Sequence, residues 1–271
     1  MQLDRTTISI RERRFADLLD LALRVVWTRP GPWLAMLAVG AIPCALFDAW
    51  WFHGAVVESV DDGQPPDQIF WYLPLLVWQI PVATAPLTLY LGQTLFSQEW
   101  SGRKLSRDFW QLLPQLMLLQ VVVRGILVLF CVTIFVLYLV WPHLNEIILL
   151  ERNPMIANPG HPMTTMKRNS IIHTQGSGAL VGRWLYSCMV ATLLVGALWF
   201  GSFWMRGLLL GDWTFDAWFY LVQFQAAVWL TVGYFTVVRF LGYLDLRIRN
   251  EGWEVELLLR AEANRMASRV S

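Results

Sequence analysis

The chain has 271 residues, of which 56% are hydrophobic and 15% are charged, and its mean hydropathy is +0.46. Soluble domains are about 45–50% apolar and about 25% charged, so this composition argues against an ordinary water-soluble protein. The net charge of +1 gives no strongly basic field, and we expect no nucleic-acid partner. The hydrophobic residues lie in long runs, which is typical of a protein whose partner is the lipid bilayer.

Residues 1–32 form a charged lead that becomes amphipathic after Arg14. Apolar side chains recur there at helical spacing, namely Phe15, Leu18, Leu19, Ala22 and Val26. Pro30 and Pro32 predict the end of this helix, because proline lacks the backbone N–H and restricts its predecessor. Two interpretations stay open, a helix at the inner membrane interface and a helix packed on the cytoplasmic loops. No cleaved signal peptide is expected, since the first apolar run begins only at Trp33.

Six membrane crossings are predicted in the middle of the chain. They are 33–52, 69–96, 108–123, 126–150, 184–205 and 216–240. The second crossing contains Pro74, Pro81 and Pro86, which forbid a straight regular helix and predict a tilt, kink or break. The apolar run 108–150 would reach about 65 Å as one helix, whereas a bilayer core is ~30 Å thick. We therefore predict that this run crosses twice, with a turn near Arg124-Gly125.

The positive charges set the orientation of these crossings. The presumed inner segments are 1–32, 97–107, 151–183 and 241–271. Together they carry 18 of the 21 Lys and Arg residues. Cytoplasmic segments normally hold this excess, so we predict a multi-pass protein of the cell inner membrane with both termini cytoplasmic. The prolines and glycines of 151–183 predict that much of that segment is loop.

The charged tail, 241–271, is expected to form a second amphipathic helix. Such a helix docks on the inner loops of its own chain, on the membrane, or on a protein partner at the cytoplasmic face. The candidate partner-docking residues are Asp245, Arg247, Arg249, Glu251 and Trp253. The fold class predicted overall is all-α, an integral membrane bundle of about six helices with cytoplasmic amphipathic helices at both ends.

Ionisable residues within crossings are candidates for function, because burying a charge in lipid is expensive. Asp48 and Arg124 both fall toward the outer side, where they either pair or reach headgroups and water. Near the inner end of crossing four, Glu146 is a candidate for an interhelical ion pair with Arg239. A proton relay through His143 and Glu146 is the alternative interpretation.

No motif in the chain specifies a reaction. His143-x-x-Glu146 lacks the second histidine of a zinc-protease helix, and the other histidines have no acidic or cysteine cluster at ligand spacing. Cys44, Cys131 and Cys188 lie inside apolar runs and are interpreted as small buried residues. We expect no catalytic residue, no metal and no cofactor.

Two short motifs resemble a known group of proteins. The stretch YLDLRIRNEGWEVELL, residues 243–258, is similar to the ending of many uncharacterised bacterial polytopic membrane proteins. That family is related to the membrane domain of some glycerophosphodiester phosphodiesterases. The segment Asn145–Glu151, followed by Lys167–Ser170, also resembles the family pattern, although Asn169 separates its Arg-Ser pair here. The resemblance implies a six-helix membrane protein and does not imply phosphodiesterase activity, whose catalytic domain is soluble.

Two functional hypotheses follow from these patterns. The first is a non-enzymatic inner-membrane protein, a structural or accessory subunit that binds partners through its cytoplasmic loops and tail. The alternative is a small transporter or lipid-handling protein that uses the proline-broken second crossing and the intramembrane polar residues.

Overall fold

A computed structural model describes residues 15–67, 69–96, 101–129, 141–155 and 163–251. Every regular element in these ranges is a helix. The α-helices are α1 (Phe15–Thr28), α2 (Pro30–Asp61), α3 (Ile69–Ala83), α4 (Ala85–Phe96), α5 (Gly102–Leu116), α6 (Arg124–Leu129), α7 (Leu144–Glu146), α8 (Thr165–Leu210) and α9 (Phe224–Glu251). Three π-helical segments, Met117–Val123, Ile147–Glu151 and Phe219–Gln223, respectively join α5 to α6, extend α7 and precede α9.

Five helices in the described part of the chain are long and apolar enough to cross a membrane. They are Pro30–Asp61, Phe70–Thr94, Gly102–Val128, Val181–Leu210 and Phe219–Arg247. The predicted all-α bundle is therefore confirmed at the level of a helical bundle. The fourth predicted crossing, 126–150, lies partly outside the described residues, because 130–140 are not among them.

The first helix packs on α9, one of the five helices long enough to cross a membrane. Leu18 and Ala22 on α1 are buried, and α1 lies against α9. The Tyr234 hydroxyl of α9 donates to the Leu19 carbonyl at 2.9 Å. Trp27 remains 82% exposed, which suits a side chain at the membrane interface.

The second predicted crossing is interrupted at a single residue, Thr84, between α3 and α4, and this interruption is called the break. The Thr84 N–H still donates to the Ile80 carbonyl at 2.9 Å, so the helical path continues through it. Pro86 has no N–H to donate to the Val82 carbonyl, four residues earlier, and this missing hydrogen bond accounts for the nearby interruption. The Pro81 carbonyl at the break accepts a hydrogen bond from Asn145 Nδ2 at 3.2 Å. Gly40 of α2 lies directly against the Ala83 carbonyl, so the broken segment is tightly enclosed.

The predicted turn at Arg124-Gly125 is wrong. The helical path runs from Gly102 through both residues to Leu129 without interruption. A Cβ at position 125 would lie 2.9 Å from Trp78 Nε1, so this glycine permits close packing of two helices. The same Trp78 Nε1 donates to the Val121 carbonyl at 2.9 Å.

The chain nevertheless returns to the end of the bundle from which this helix starts. Arg152 Nη2 lies 2.6 Å from Asp108 Oδ2. Gln115 Nε2 donates to the Asn153 carbonyl at 3.1 Å. The two ends of the run 108–152 are therefore neighbours.

The segment 165–183, for which the sequence predicted much loop, is instead the first part of α8. The Thr164 side chain caps the first turn of this helix by accepting a hydrogen bond from the Lys167 N–H.

Cations are concentrated at one end of the bundle. The end that holds the contact between Asp108 and Arg152 is called the basic end, and its described cations include Arg103, Lys104, Arg107, Arg152, Lys167, Arg168 and Arg247. The opposite, acidic end carries Glu58, Asp61, Asp62, Asp67, Asp212 and Asp216. Arg206 is the described cation at the acidic end, and it contacts Asp216 Oδ1 at 2.8 Å and Asp212 Oδ2 at 3.5 Å.

Candidate functional site

A buried ion pair links the returning segment to the last helix. Arg239 Nε donates to Glu146 Oε1 at 2.6 Å, and the Glu146 side chain is fully buried. Arg239 Nη2 also approaches the Thr84 hydroxyl, at 3.5 Å, where α3 and α4 are broken. These two residues are the pair that the sequence suggested. The contact joins three parts of the bundle that are far apart in sequence.

A second charged group lies one helical turn toward the basic end. Glu151 accepts from Arg168 Nε through both carboxylate oxygens, at 3.0 and 2.8 Å. The Tyr243 hydroxyl donates to Glu151 Oε1 at 2.6 Å. Glu146, Arg239, Glu151, Arg168 and Tyr243 are together called the basic-end cluster. It ties α7, α8 and α9 together.

The environment of Glu151 favours its ionised form. Burial opposes the charge, but hydrogen bonds from Arg168 and Tyr243 and the positive charges of Arg168 and Arg247 outweigh it. The pKa of Glu151 is therefore lowered from its ordinary value of 4.5. A charge-assisted bidentate contact of this kind is among the stronger side-chain interactions in proteins.

Acidification is expected to weaken the fold through Glu151. A carboxyl whose pKa is lowered by folding binds fewer protons in the native state, so its contribution is complete above the unfolded value of 4.5. That contribution is lost as the pH falls through the lowered folded value. Glu151→Gln should destabilise the protein at pH 7 by about 1.5–3 kcal/mol, the range for hydrogen bonds to charged groups. It should also reduce the loss of stability as the pH falls below about 4.5, because one titrating group is removed.

Unfolding in detergent at several pH values measures this effect. Glu58→Gln is the matched control, since Glu58 is an exposed carboxylate at the acidic end. An acid dependence that is the same in wild type and Glu151→Gln, with Glu58→Gln also unchanged, would show that Glu151 does not couple folding to pH.

The other predicted residues near Glu146 are His143 and Asn145. His143 is buried, and its ring centroid lies 6.1 Å from that of Tyr243. The contacts described for Glu146 lead to Arg239, and a relay between His143 and Glu146 stays a prediction. Asn145 is occupied with the Pro81 carbonyl.

The two outer candidates are bonded to different neighbours. Gln79 Nε2 donates to Asp48 Oδ1 at 2.6 Å. Arg124 Nη1 contacts Gln120 Oε1 at 3.3 Å, one turn earlier on its own helix. Asp48 and Arg124 are both buried, so neither reaches water as the headgroup interpretation expected.

The candidate docking residues of the tail are only partly described. Asp245 is buried and Arg247 is half-buried, and both lie on α9, which continues to Glu251. The side chains of Arg249 and Glu251, and the whole of Trp253, lie outside the described part of the chain. The first turns after crossing six therefore belong to the folded bundle.

Sequence reasoning did not find the contacts that surround Glu151. The resemblance placed an acidic residue at the end of crossing four and an Arg-Ser pair at the start of the next inner helix, but it did not indicate that they contact each other. Asp108 and Arg152 were also missed, because a single acidic residue at the start of an apolar run has no distinguishing pattern. In the described ranges, no group of three His, Cys, Asp or Glu side chains is placed to hold a metal ion.

The fold and its two charged ends define a helical bundle of the multi-pass membrane type. Neither protein-family models, nor curated proteins, nor solved structures gave a match to this chain.

Proposed function

We propose that this protein is a non-enzymatic subunit of the cell inner membrane, with six crossings and both termini in the cytoplasm, that docks a protein partner on its basic end. The observation that carries the proposal is the anchoring of the basic end by two ion pairs, one buried and one in which only the carboxylate is buried. Contacts of 2.6 Å between Arg239 and Glu146 and between Arg152 and Asp108 fix that end to the core. A surface held in this way presents its remaining charges in a constant geometry, which lowers the entropic cost of binding.

Exposed cations on the same end supply the surface for an acidic partner. Arg103, Lys104 and Arg107 are exposed along the first two turns of α5, and Lys167 is exposed at the start of α8. The outward faces between the two ends carry large apolar side chains such as Leu46 and Leu193, which suit lipid. Positive charge beside such a surface favours the cytoplasmic side of the membrane.

The broken second crossing was the basis for the alternative, a transporter or lipid-handling protein. Thr84 at the break is fully buried, and Arg239 and Asn145 fill the space beside it. Discontinuous helices in transporters surround a substrate site, whereas this break is occupied by side chains of the protein itself. The packing at Thr84 therefore favours the structural role.

Site-specific photo-crosslinking in cells tests the docking role. A photoreactive residue is introduced at Lys104 or Lys167, with Leu46 on the apolar face and Asp212 at the acidic end as controls. We expect a discrete protein adduct from the two basic-end positions and not from the controls. Charge reversal of Arg103 and Arg107 to glutamate should abolish that adduct at unchanged expression, because an acidic partner would be repelled.

The proposal fails if the basic-end positions give no protein adduct while purified protein in vesicles carries solute across the membrane.

Truncation after Glu251 tests whether the tail contributes to partner binding. It removes residues 252–271 and leaves the contact between Tyr243 and Glu151 intact. Loss of the adduct on truncation assigns the docking to the tail, and retention assigns it to the inner loops.

A further inference from the structure

Asp48 is a buried carboxylate in the middle of α2. Its residue is 0% exposed, and it lies ~20 Å along the helix from Asp61 at a rise of about 1.5 Å per residue. Gln79 Nε2 donates to its Oδ1 at 2.6 Å, and the Tyr72 hydroxyl faces the same carboxylate from α3. The site is thus built by two crossings and lies within the apolar part of the bundle.

The groups around Asp48 provide no positive charge among the described residues. The titratable groups that face it are Cys44 on its own helix and Tyr72 on α3. From α9 the neighbouring polar side chain is the neutral amide of Gln225. In the orientation that satisfies both of its ends, this amide donates to the Ala45 carbonyl at 3.0 Å and accepts from Ala49 N–H at 3.3 Å.

Three oxygen atoms at this site make no hydrogen bond of normal length and angle within the described structure. They are Asp48 Oδ2, Gln79 Oε1 and the Tyr72 hydroxyl, and all three residues are more than nine-tenths buried. Buried acceptors in this state cost free energy, and a buried unpaired negative charge costs much more. A cation bound at this site would give these oxygens a partner and neutralise the carboxylate.

We propose that Asp48, together with Gln79 and Tyr72, binds one monovalent cation, either a proton or a sodium ion, inside the bundle. A proton would add to Asp48 Oδ2 and turn it into a donor for the neighbouring oxygen. A sodium ion would accept electron pairs from Asp48 Oδ2 and Gln79 Oε1. A proton and a sodium ion would each supply a single positive charge, which no cationic side chain provides there among the described residues.

A cavity that shares Tyr72 with this site lies toward the acidic end. It has a volume of about 20 Å³ and is lined by Phe52, Val56, Tyr72, Tyr220, Phe224 and Gln225. A cavity of roughly 10–15 Å³ or more holds one water molecule where polar groups are present, and here Tyr72 and Gln225 provide them. The π-helical segment Phe219–Gln223 borders the cavity, and such segments often occur at functional sites. The exposed carboxylates of the acidic end, including Glu58 and Asp61, would concentrate cations at its mouth.

Two measurements on the purified full-length protein in lipid nanodiscs separate the two sources. Infrared spectroscopy detects the carbonyl stretch of a protonated carboxyl, which shifts in deuterated water. Thermal unfolding is followed in sodium chloride and in choline chloride at equal ionic strength. Asp48→Asn is the test variant, because it keeps the acceptor for Gln79 and removes the charge, and Asp61→Asn is the matched control at the exposed end of the same helix.

A protonated-carboxyl band that is present in wild type and Asp61→Asn, lost in Asp48→Asn and insensitive to sodium assigns a proton. A melting temperature that rises by about 2–5 °C for each tenfold increase in sodium, in wild type and not in Asp48→Asn, assigns a sodium ion. An ionised Asp48 with no dependence on sodium overturns the proposal. If Asp48→Asn fails to fold, Gln79→Met serves instead, and an unchanged band and unchanged sodium dependence in that variant also overturn it.

Discussion

Replacing Glu146 with glutamine is expected to lower the free energy of unfolding by about 3–5 kcal/mol, the range for breaking one member of a buried ion pair. Glu146 is fully buried, and its Oε1 accepts a hydrogen bond from Arg239 Nε at 2.6 Å. Removing the carboxylate leaves the Arg239 charge without its partner in the interior of the bundle. Equilibrium unfolding of the purified protein in mixed micelles measures the change.

The reciprocal variant and the double variant identify the cause. The single changes Glu146→Leu and Arg239→Met should each be about as destabilising as Glu146→Gln, because each leaves the opposite charge buried without its partner. The double change Glu146→Leu with Arg239→Met should recover most of the loss, since an apolar pair of similar volume often replaces a buried ion pair at little cost. A double variant whose loss equals the sum of the two single losses would show that the two side chains do not act as a pair.

The surface pair between Asp20 and Arg24 is the matched control. Its oxygen and nitrogen lie 2.9 Å apart, but both side chains are more than 60% exposed. Exposed ion pairs contribute about 0–1 kcal/mol, so Asp20→Asn should change stability by no more than that. The contrast attributes the effect at Glu146 to burial and not to distance.

Gly40→Ala is expected to destabilise the protein by about 1–3 kcal/mol or more, as overpacking of a filled interior does. The added methyl group would overlap the Ala83 carbonyl oxygen, which is backbone and has no rotamer to relax into. The change pushes α2 away from the break at Thr84, next to which Arg239 and Asn145 are bonded.

Gly54→Ala on the same helix is the control for this variant. A Cβ at Gly54 meets no atom within 4 Å, so the change should be neutral or stabilising by up to about 1 kcal/mol through helix propensity. The same unfolding experiment compares the two glycines. Equal tolerance of both substitutions would contradict the close contact between α2 and the broken segment.

The overall class of the fold was accessible from the sequence because it depends on local composition. Long apolar runs predicted a helical bundle, and the prolines predicted a break that falls at Thr84. The pairing of Glu146 with Arg239 was suggested because charges at the same depth in a membrane have few other partners.

The turn at Arg124-Gly125 was predicted wrongly because an arginine and a glycine within an apolar run are typical of a turn between two crossings. Their roles depend on neighbours that local sequence does not reveal. Gly125 lies against Trp78, and Arg124 contacts Gln120 within the bundle. A glycine in a membrane helix marks a close approach of another helix as readily as a turn.

The candidate site was only partly predictable for the same reason. The hydrogen bond between Gln79 and Asp48 joins residues 31 positions apart, and the one between Tyr243 and Glu151 joins residues 92 apart. Glutamine and tyrosine in apolar runs are compatible with many partners, so their spacing alone does not indicate which of them meets a carboxylate.

Labelling of single cysteines tests the out-and-back path of residues 102–155 most directly. Cysteine is placed at Lys104, Lys167 or Asp62 in a variant in which Cys44, Cys131 and Cys188 are replaced, and a membrane-impermeant maleimide is applied to intact cells and to opened membranes. We expect the cysteines at positions 104 and 167 to be labelled only after the membrane is opened, and the cysteine at position 62 to be labelled in intact cells. Labelling of Lys104 and Lys167 from opposite sides would contradict the return of the chain, and with it the gathering of the cations at one end.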